Sequence, residues 1–156
     1  MFLGDEIMNV IVRPANEEDI QSLKGLMFQY IVDFYKKPRP AEEDLTGLIL
    51  HLQNNPSSGL QFVAERDGQL VGFATLYFTF STLQVKKAAI LNDLFVSPEA
   101  RGLKVGENLF QTCLAYIREN GYAYMTWETA KDNVVAQSLY NKSGGQISDW
   151  LVYEIE

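Results

Sequence analysis

One cysteine and one histidine are all that 156 residues offer of the two side chains that most often bind metals. A lone Cys113 closes no disulfide within the chain, and nothing in the composition speaks for an oxidising compartment, so the setting reads as cytoplasmic. His51 has no metal-site spacing around it and reads as a surface residue, and no metal is expected. Basic residues are scarce too: 13 Lys and Arg face 20 Asp and Glu, a formal net charge of -7. A field of that sign repels nucleic acid and anionic membrane, and suits an amine. Long hydrophobic runs are also missing. No stretch approaches the roughly 20 apolar residues that span a bilayer, and the opening MFLGDEIMNV is too short and too acidic for a signal peptide. Residues 1–8 read as a disordered start or an extension before Met8.

What is present suffices for one core, with 47% apolar and 12% aromatic residues in a chain of single-domain size, 1–156. Asn16, followed three residues on by Asp19, resembles a helix cap, and Ile20, Leu23, Met27, Tyr30, Ile31 and Phe34 recur at helical spacing over 16–36. Val10 to Arg13 reads as a strand. Pro38 and Pro40 precede a second helix that carries Leu45, Leu48, Ile49 and Leu52, and 54–59 is a loop. QFVAE, the turn at Asp67-Gly68 and QLVGFATLYFTF form an antiparallel hairpin. A strand over 86–96, a helix over 103–120, a strand over 122–129, a helix over 132–142 and a last strand DWLVYEI complete the order. The class is α/β: a mixed, mostly antiparallel sheet with one central parallel pair joined by a right-handed crossover, and helices on both faces.

In LNDLFVSPEARGLKVGENLF a strand ends at Val96 and a helix opens near Arg101 to Gly106. A helix start presents unpaired amides that attract phosphate oxygens through hydrogen bonding and the helix dipole. Gly102 and Gly106 allow close approach, and Arg101 and Lys104 add positive charge. No Gly-Lys-Ser/Thr and no GxGxxG follows the strand, which excludes Walker and dinucleotide loops. A plain surface turn before an amphipathic helix accounts equally well for these letters taken alone.

The segment resembles the acetyl-coenzyme A motif of the GNAT superfamily of N-acetyltransferases, V-x-P-x-x-R-G-x-G-x-G/A, through Val96, Pro98, Arg101, Gly102, Lys104 and Gly106. Lys104 replaces the middle glycine. The resemblance implies acetyl-CoA as cosubstrate, its pyrophosphate held along Arg101, Gly102, Leu103, Lys104, Val105 and Gly106. It further implies that the strands 86–96 and 122–129 diverge, so that Leu94, Phe95 and Val96 offer main-chain groups to the pantetheine, one of them an oxyanion donor. A second stretch, N-x-x-A-x-x-x-Y, matches the family at Asn133, Ala136 and Tyr140. Seven residues is close to two helical turns, which puts Asn133 and Tyr140 on one face. By the resemblance, Asn133 meets the pantetheine arm and Tyr140 protonates the departing thiolate. Trp127 and Tyr124 read as packing.

The general base is the open element. Asp93 and Glu128 are candidates, a water relay would also serve, and Asp93 has an equally good reading as a structural acceptor. Strand alternation groups Asp93 with Leu91 and Phe95 on one face, and Asn92 with Leu94 and Val96 on the other. GFATLYFTF followed by LNDLFV is similar to the spermidine/spermine branch of the superfamily, which reads LEDFFV in the second segment. Asn92 stands where that branch has glutamate. Glu42, Glu43 and Asp44 could attract a cationic substrate, or simply form a solvated helix start. The reading is thus an N-acetyltransferase acting on a small primary amine by direct attack. A protein or peptide acetyltransferase and a non-catalytic coenzyme A sensor are the alternatives. Homodimerisation is common in the superfamily.

Overall fold

Asn16 caps the first helical segment as its spacing to Asp19 predicts. In the computed structural model, which describes residues 9–156, the Asn16 side chain accepts from the Glu18 amide at 2.9 Å. The Asp19 carboxylate accepts from the Asn16 amide at 2.8 Å, so two open donors of the first turn are satisfied. Asp19 also takes both ends of the Arg13 guanidinium, at 2.7 and 2.9 Å, which holds its carboxyl below the usual range and ties the helix to strand β1 (Val10–Pro14). The expectation for residues 1–8 lies outside the described residues.

The segment is a 3₁₀ turn at Glu17–Asp19, helix α1 (Ile20–Phe28) and a π-helical turn at Gln29–Phe34. The wider π turn re-aims the residues after Phe28, and Tyr30 meets the sheet through edge contacts with Phe73 at 5.5 Å and Phe95 at 5.7 Å. Helix α2 (Glu42–Asn54) follows the prolines. Strands β2 (Gly59–Arg66), β3 (Gln69–Ser81) and β4 (Lys86–Val96) pair antiparallel in chain order after β1, and β5 (Met125–Thr126) lies parallel to β4. Helix α3 (Val105–Glu119) makes the crossover, and α4 (Val134–Lys142) follows β5. The expected mixed sheet with one parallel pair is present, but the pair lies at its edge instead of its centre, since no strand lies beyond β5 among the described residues.

Its two faces bury separate apolar layers. Leu109, Phe110, Cys113 and Ile117 of α3 meet Phe62, Ala64, Ala74, Leu76 and Leu91 on one face. Leu23, Leu26 and Met27 of α1, with Leu45 and Ile49 of α2, meet Val63, Phe73 and Phe95 on the other. At about 1.5–3 kcal/mol for each large side chain removed from water, this burial is the main favourable term.

Three details differ from the sequence reading. In the pairing of β3 with β4, Thr75 opposes Asp93 but Leu76 opposes Leu91, so Asn92 is an extra, bulged residue. Leu91 therefore joins Leu94 and Val96 on the α3 face, while Phe95 faces α1 and Asp93 faces the π turn with it. Alternation had grouped Leu91 with Asp93; one inserted residue undoes it. Second, β5 spans two residues instead of 122–129, because pairing with β4 stops at Thr126. Third, DWLVYEI forms no strand: Trp150, Leu151, Val152, Tyr153 and Ile155 are each at least 74% exposed.

Gly72 fixes the approach of β3 to β4, since a Cβ there would lie 2.8 Å from the Phe95 carbonyl oxygen and 3.1 Å from Leu109 Cδ1. Gly72→Ala is expected to lower stability by about 1–3 kcal/mol, the cost of overpacking a filled site. Urea unfolding measures it, and an unchanged midpoint contradicts the strand spacing.

Candidate active site

Pairing between β4 and β5 consists of Ala89 with Met125 and Ile90 with Thr126. Beyond Ile90, β4 keeps its β3 partners on one side and has none on the other, so the main chain from Leu91 to Val96 borders a cleft. The divergence implied for Leu94, Phe95 and Val96 is therefore present. Trp127 leads the other wall away from β4, packing on Phe110 at 5.1 Å and Tyr140 at 5.3 Å. Tyr124 is 40% exposed and contributes less to packing.

At one end of the cleft, a 3₁₀ turn at Pro98–Ala100 leads to Arg101, and the backbone turns left-handed at Gly102 (φ 84°) and Lys104 (φ 62°) before α3 opens at Val105. The amides of Leu103, Lys104, Val105, Gly106 and Glu107 donate to no protein acceptor among the described residues. They remain available to an anion, favoured by the dipole of a 15-residue helix. A Cβ on Gly106 would meet only Val96 Cγ2 at 3.5 Å, an ordinary contact. Protein packing does not demand glycine there, and its effect is to keep the helix start low. Lys104 occupies a position where glycine is at no disadvantage and a residue with a Cβ loses roughly 1–2 kcal/mol. Arg101 turns back to the strand: Nε donates to the Val96 carbonyl at 3.1 Å, and the guanidinium sits 5.8 Å from the Phe34 and Phe95 rings. Its charge lies beside the loop, but that donor and the Val96 carbonyl are already engaged with each other.

On the opposite wall Tyr140 is partly buried against Phe110 and Trp127. Burial first, and the neighbouring Tyr35 second, push its phenol above the ordinary value, so the hydroxyl stays a donor at neutral pH. Asn133 does not share a helical face with Tyr140. Helix α4 begins at Val134, and Asn133 caps it, its Oδ1 accepting from the Ala136 amide at 3.2 Å. Asparagine is among the best residues at that position. Only its Nδ2 donors remain for a ligand.

Asp93 lies on the β4 side of the cleft, partly buried, with Asn92 Nδ2 donating to it at 3.0 Å, Thr75 opposite it on β3, and Thr75 and Tyr30 as further neighbours that favour its charged form. Burial raises its pKa above the carboxylate norm, and the three donors pull in the opposite direction. Burial and the Asp93 charge together raise the phenols of Tyr30 and Tyr77. Glu128 is exposed, apart from this cluster. Tyr30, Tyr35, Thr75, Tyr77 and Gln61 escaped the sequence reading, although a Gln and a Thr within the apolar runs LQFVA and FATLY were a signal.

Other candidates are engaged elsewhere or closed. Glu42 pairs with the buried Lys24 at 3.1 Å, and Lys24 Nζ reaches Thr46 Oγ1 at 3.1 Å, so one charge of the acidic cluster serves the fold. Glu43, Asp44 and His51 are exposed. Cys113 is fully buried and its thiol is pushed up to about 12, which removes it as a nucleophile for an acyl-cysteine intermediate. No three His, Cys, Asp or Glu side chains are grouped to hold a metal among the described residues. No helix there is long and apolar enough to cross a membrane.

Strands β4 and β5 part after Ile90 with unpaired amides at one end of the opening, and similarity to known proteins identifies the chain as an acyltransferase enzyme. The model of the Acetyltransferase (GNAT) family matches residues 26–145, and the chain belongs to that family, whose members depend on acetyl-CoA. It is 35% identical over 133 residues to the uncharacterized N-acetyltransferase YhfO of Bacillus subtilis (strain 168), covering 85% of this chain and 87% of that protein. It is 32% identical over 84 residues to the putative [ribosomal protein bS18]-alanine N-acetyltransferase of the same organism, 54% of this chain and 52% of the other. The crystal structure of a probable acetyltransferase superposes with a TM-score of 0.83 at 28% identity, covering 94% of this chain and 97% of that one.

Lys104→Gly is expected to relieve the left-handed strain and raise stability by about 1 kcal/mol, partly offset by the greater freedom of glycine in the unfolded chain. Thermal melting measures it. A lower melting temperature would show that Lys104 makes a stabilising contact that outweighs its backbone.

Proposed function

We propose that this acetyltransferase passes the acetyl group of acetyl-CoA directly to the primary amine of a small molecule, with the chain acting as one catalytic domain in the cytoplasm. The observation that carries the proposal is the parting of β4 and β5 after Ile90 beside the unpaired amides at the start of α3. Diphosphate would rest on the main chain from Arg101 through Gly102, Leu103, Lys104 and Val105 to Gly106. The pantetheine would run along Leu94, Phe95 and Val96, with the Nδ2 of Asn133 as a further donor. One free amide on that strand would hold the thioester oxygen as charge develops on it.

An alkylamine with a pKa of about 10.4 is protonated at neutral pH, so attack requires a base. Asp93 takes that role, its raised pKa bringing it closer to neutrality than an exposed carboxylate. The amine nitrogen attacks the thioester carbon, the carbon–sulfur bond breaks, and Tyr140 gives its proton to the departing thiolate. The inert Cys113 favours this one-step route over a covalent intermediate.

A polyamine-like acceptor is supported by the likeness of GFATLYFTF and LNDLFV to the spermidine/spermine branch and by the net charge of -7. Asn92, bulged and exposed, brings no acid to the substrate side, and this favours a smaller or less cationic amine than spermine. The identity to a protein named for alanine acetylation of a ribosomal protein supports a peptide N-terminus as second reading. Free-thiol release from acetyl-CoA across spermidine, lysine, an aminoglycoside and an alanine-starting peptide decides between them, with a small amine expected fastest. Coenzyme binding without turnover of any amine would favour a sensor instead. Tyr140→Phe is expected to lower kcat by roughly 10²-fold while coenzyme affinity changes about twofold at most. Unchanged turnover would remove Tyr140 from the reaction.

A homodimer is supported by the exposed apolar residues 147–155 and the unpaired outer edge of β5. Pairing this segment with β5 of a second copy would satisfy both edges by two-fold symmetry. Light scattering is expected to give twice the chain mass, and removal of 147–156 to give monomers. A monomeric full-length chain would overturn the proposal.

A further inference from the structure

Gln61, Thr75 and Asp93 stand directly opposite one another on three adjacent strands, β2, β3 and β4. Gln61 and Thr75 are buried, at 3% and 0% exposure, in a layer whose neighbours on the same face are Val63, Phe73 and Phe95. Nothing in the packing of that layer calls for polar groups, and an unpaired acceptor remains as their cost: Gln61 Oε1 has no partner.

The direction of the bonds is set by a neighbour. Gln61 Nε2 donates to Thr75 Oγ1 at 3.1 Å and approaches Met27 Sδ at 3.8 Å. A thioether sulfur accepts and never donates, so the amide nitrogen must face it. Thr75 Oγ1 is then an acceptor toward Gln61, and its single proton is free for the carboxylate opposite it. We infer that Gln61 and Thr75 are positioning residues, a one-way chain of hydrogen bonds that holds the Asp93 carboxylate oriented in the cleft and steadies its charge. This rests on the reading of Asp93 as the base. The bulge at Asn92 is what puts Asp93, and not Leu91, in line with the chain.

The other groups that act on Asp93 are Tyr30 from the π turn, Tyr77 from β3 and Asn92 beside it, with no cationic side chain among them. Removal of one donor therefore leaves no positive charge to compensate. The test follows the Asp93 carboxyl carbon by ¹³C NMR titration of the ligand-free enzyme, its signal assigned with Asp93→Asn. Thr75→Val is expected to raise the titration midpoint by about one pH unit, the worth of one hydrogen bond to a charged acceptor. Thr75→Ser should restore it. Gln61→Met, which removes the first donor and keeps the volume, should raise it by a smaller amount and substitutes for Thr75→Val should that variant not fold.

A midpoint unmoved in these variants overturns the chain of bonds, whatever the role of Asp93. The base reading is judged separately, by the pH–rate profile with the fastest amine of the panel. Loss of the acidic limb in Asp93→Asn supports it. An acidic limb retained in that variant overturns it even where the NMR midpoints move as expected.

Discussion

Parallel pairing between β4 and β5 lasts for two residue pairs, and the cleft exists because it stops there. A ladder continued past Ile90 would consume main-chain groups between Leu91 and Val96 that now have no strand partner on that side. Two features keep the strands apart. Trp127 turns toward Phe110 and Tyr140 instead of following β4, and α3, packed through Leu109, Phe110 and Cys113, anchors the far end of the crossover. An unpaired strand edge inside a protein is normally a cost. Here it is the surface along which an extended, amide-bearing ligand is proposed to pair.

The two ionisable groups that flank the cleft are shifted by the same agent with different consequences. Burial disfavours charge on both, so the phenol of Tyr140 becomes a more persistent donor while the pKa of Asp93 rises, the direction its proposed role requires. An amine that must lose a proton and a thiolate that must gain one call for such a pair. Tyr140 is buried against Phe110 and Trp127, and Tyr30 of the π turn packs on Phe73 and Phe95 beside Asp93.

Several local choices run against stability. Lys104 accepts a left-handed backbone, Gln61 leaves an acceptor unpaired, and the residues after Gly145 leave large apolar side chains in water. The first two lie in or beside the elements of the site. By contrast, the ion pair of Lys24 with Glu42 and the doubly bonded pair of Arg13 with Asp19 join the first helices to each other and to β1, away from the cleft. Such departures from the local rules are concentrated where ligands or partners are proposed to bind.

Much of this architecture was legible in the linear order of residues, for a physical reason. Helical and strand periodicity, the Asn16 cap and the Asp67-Gly68 turn depend on neighbours a few positions away, and they placed the first four strands and the principal helices. Val96, Pro98, Arg101, Gly102 and Gly106 pointed to a phosphate loop only through their resemblance to the family motif, since local spacing alone allowed a plain surface turn. Contacts between distant segments were beyond that reach. A bulge depends on the partner strand, so the face on which Leu91 and Asp93 stand could not be counted out along one strand. The short β5, the missing DWLVYEI strand and the row from Gln61 to Asp93 depend likewise on what lies across the sheet. Local chemistry determined which elements form, and tertiary packing decided which side chains meet in the cleft.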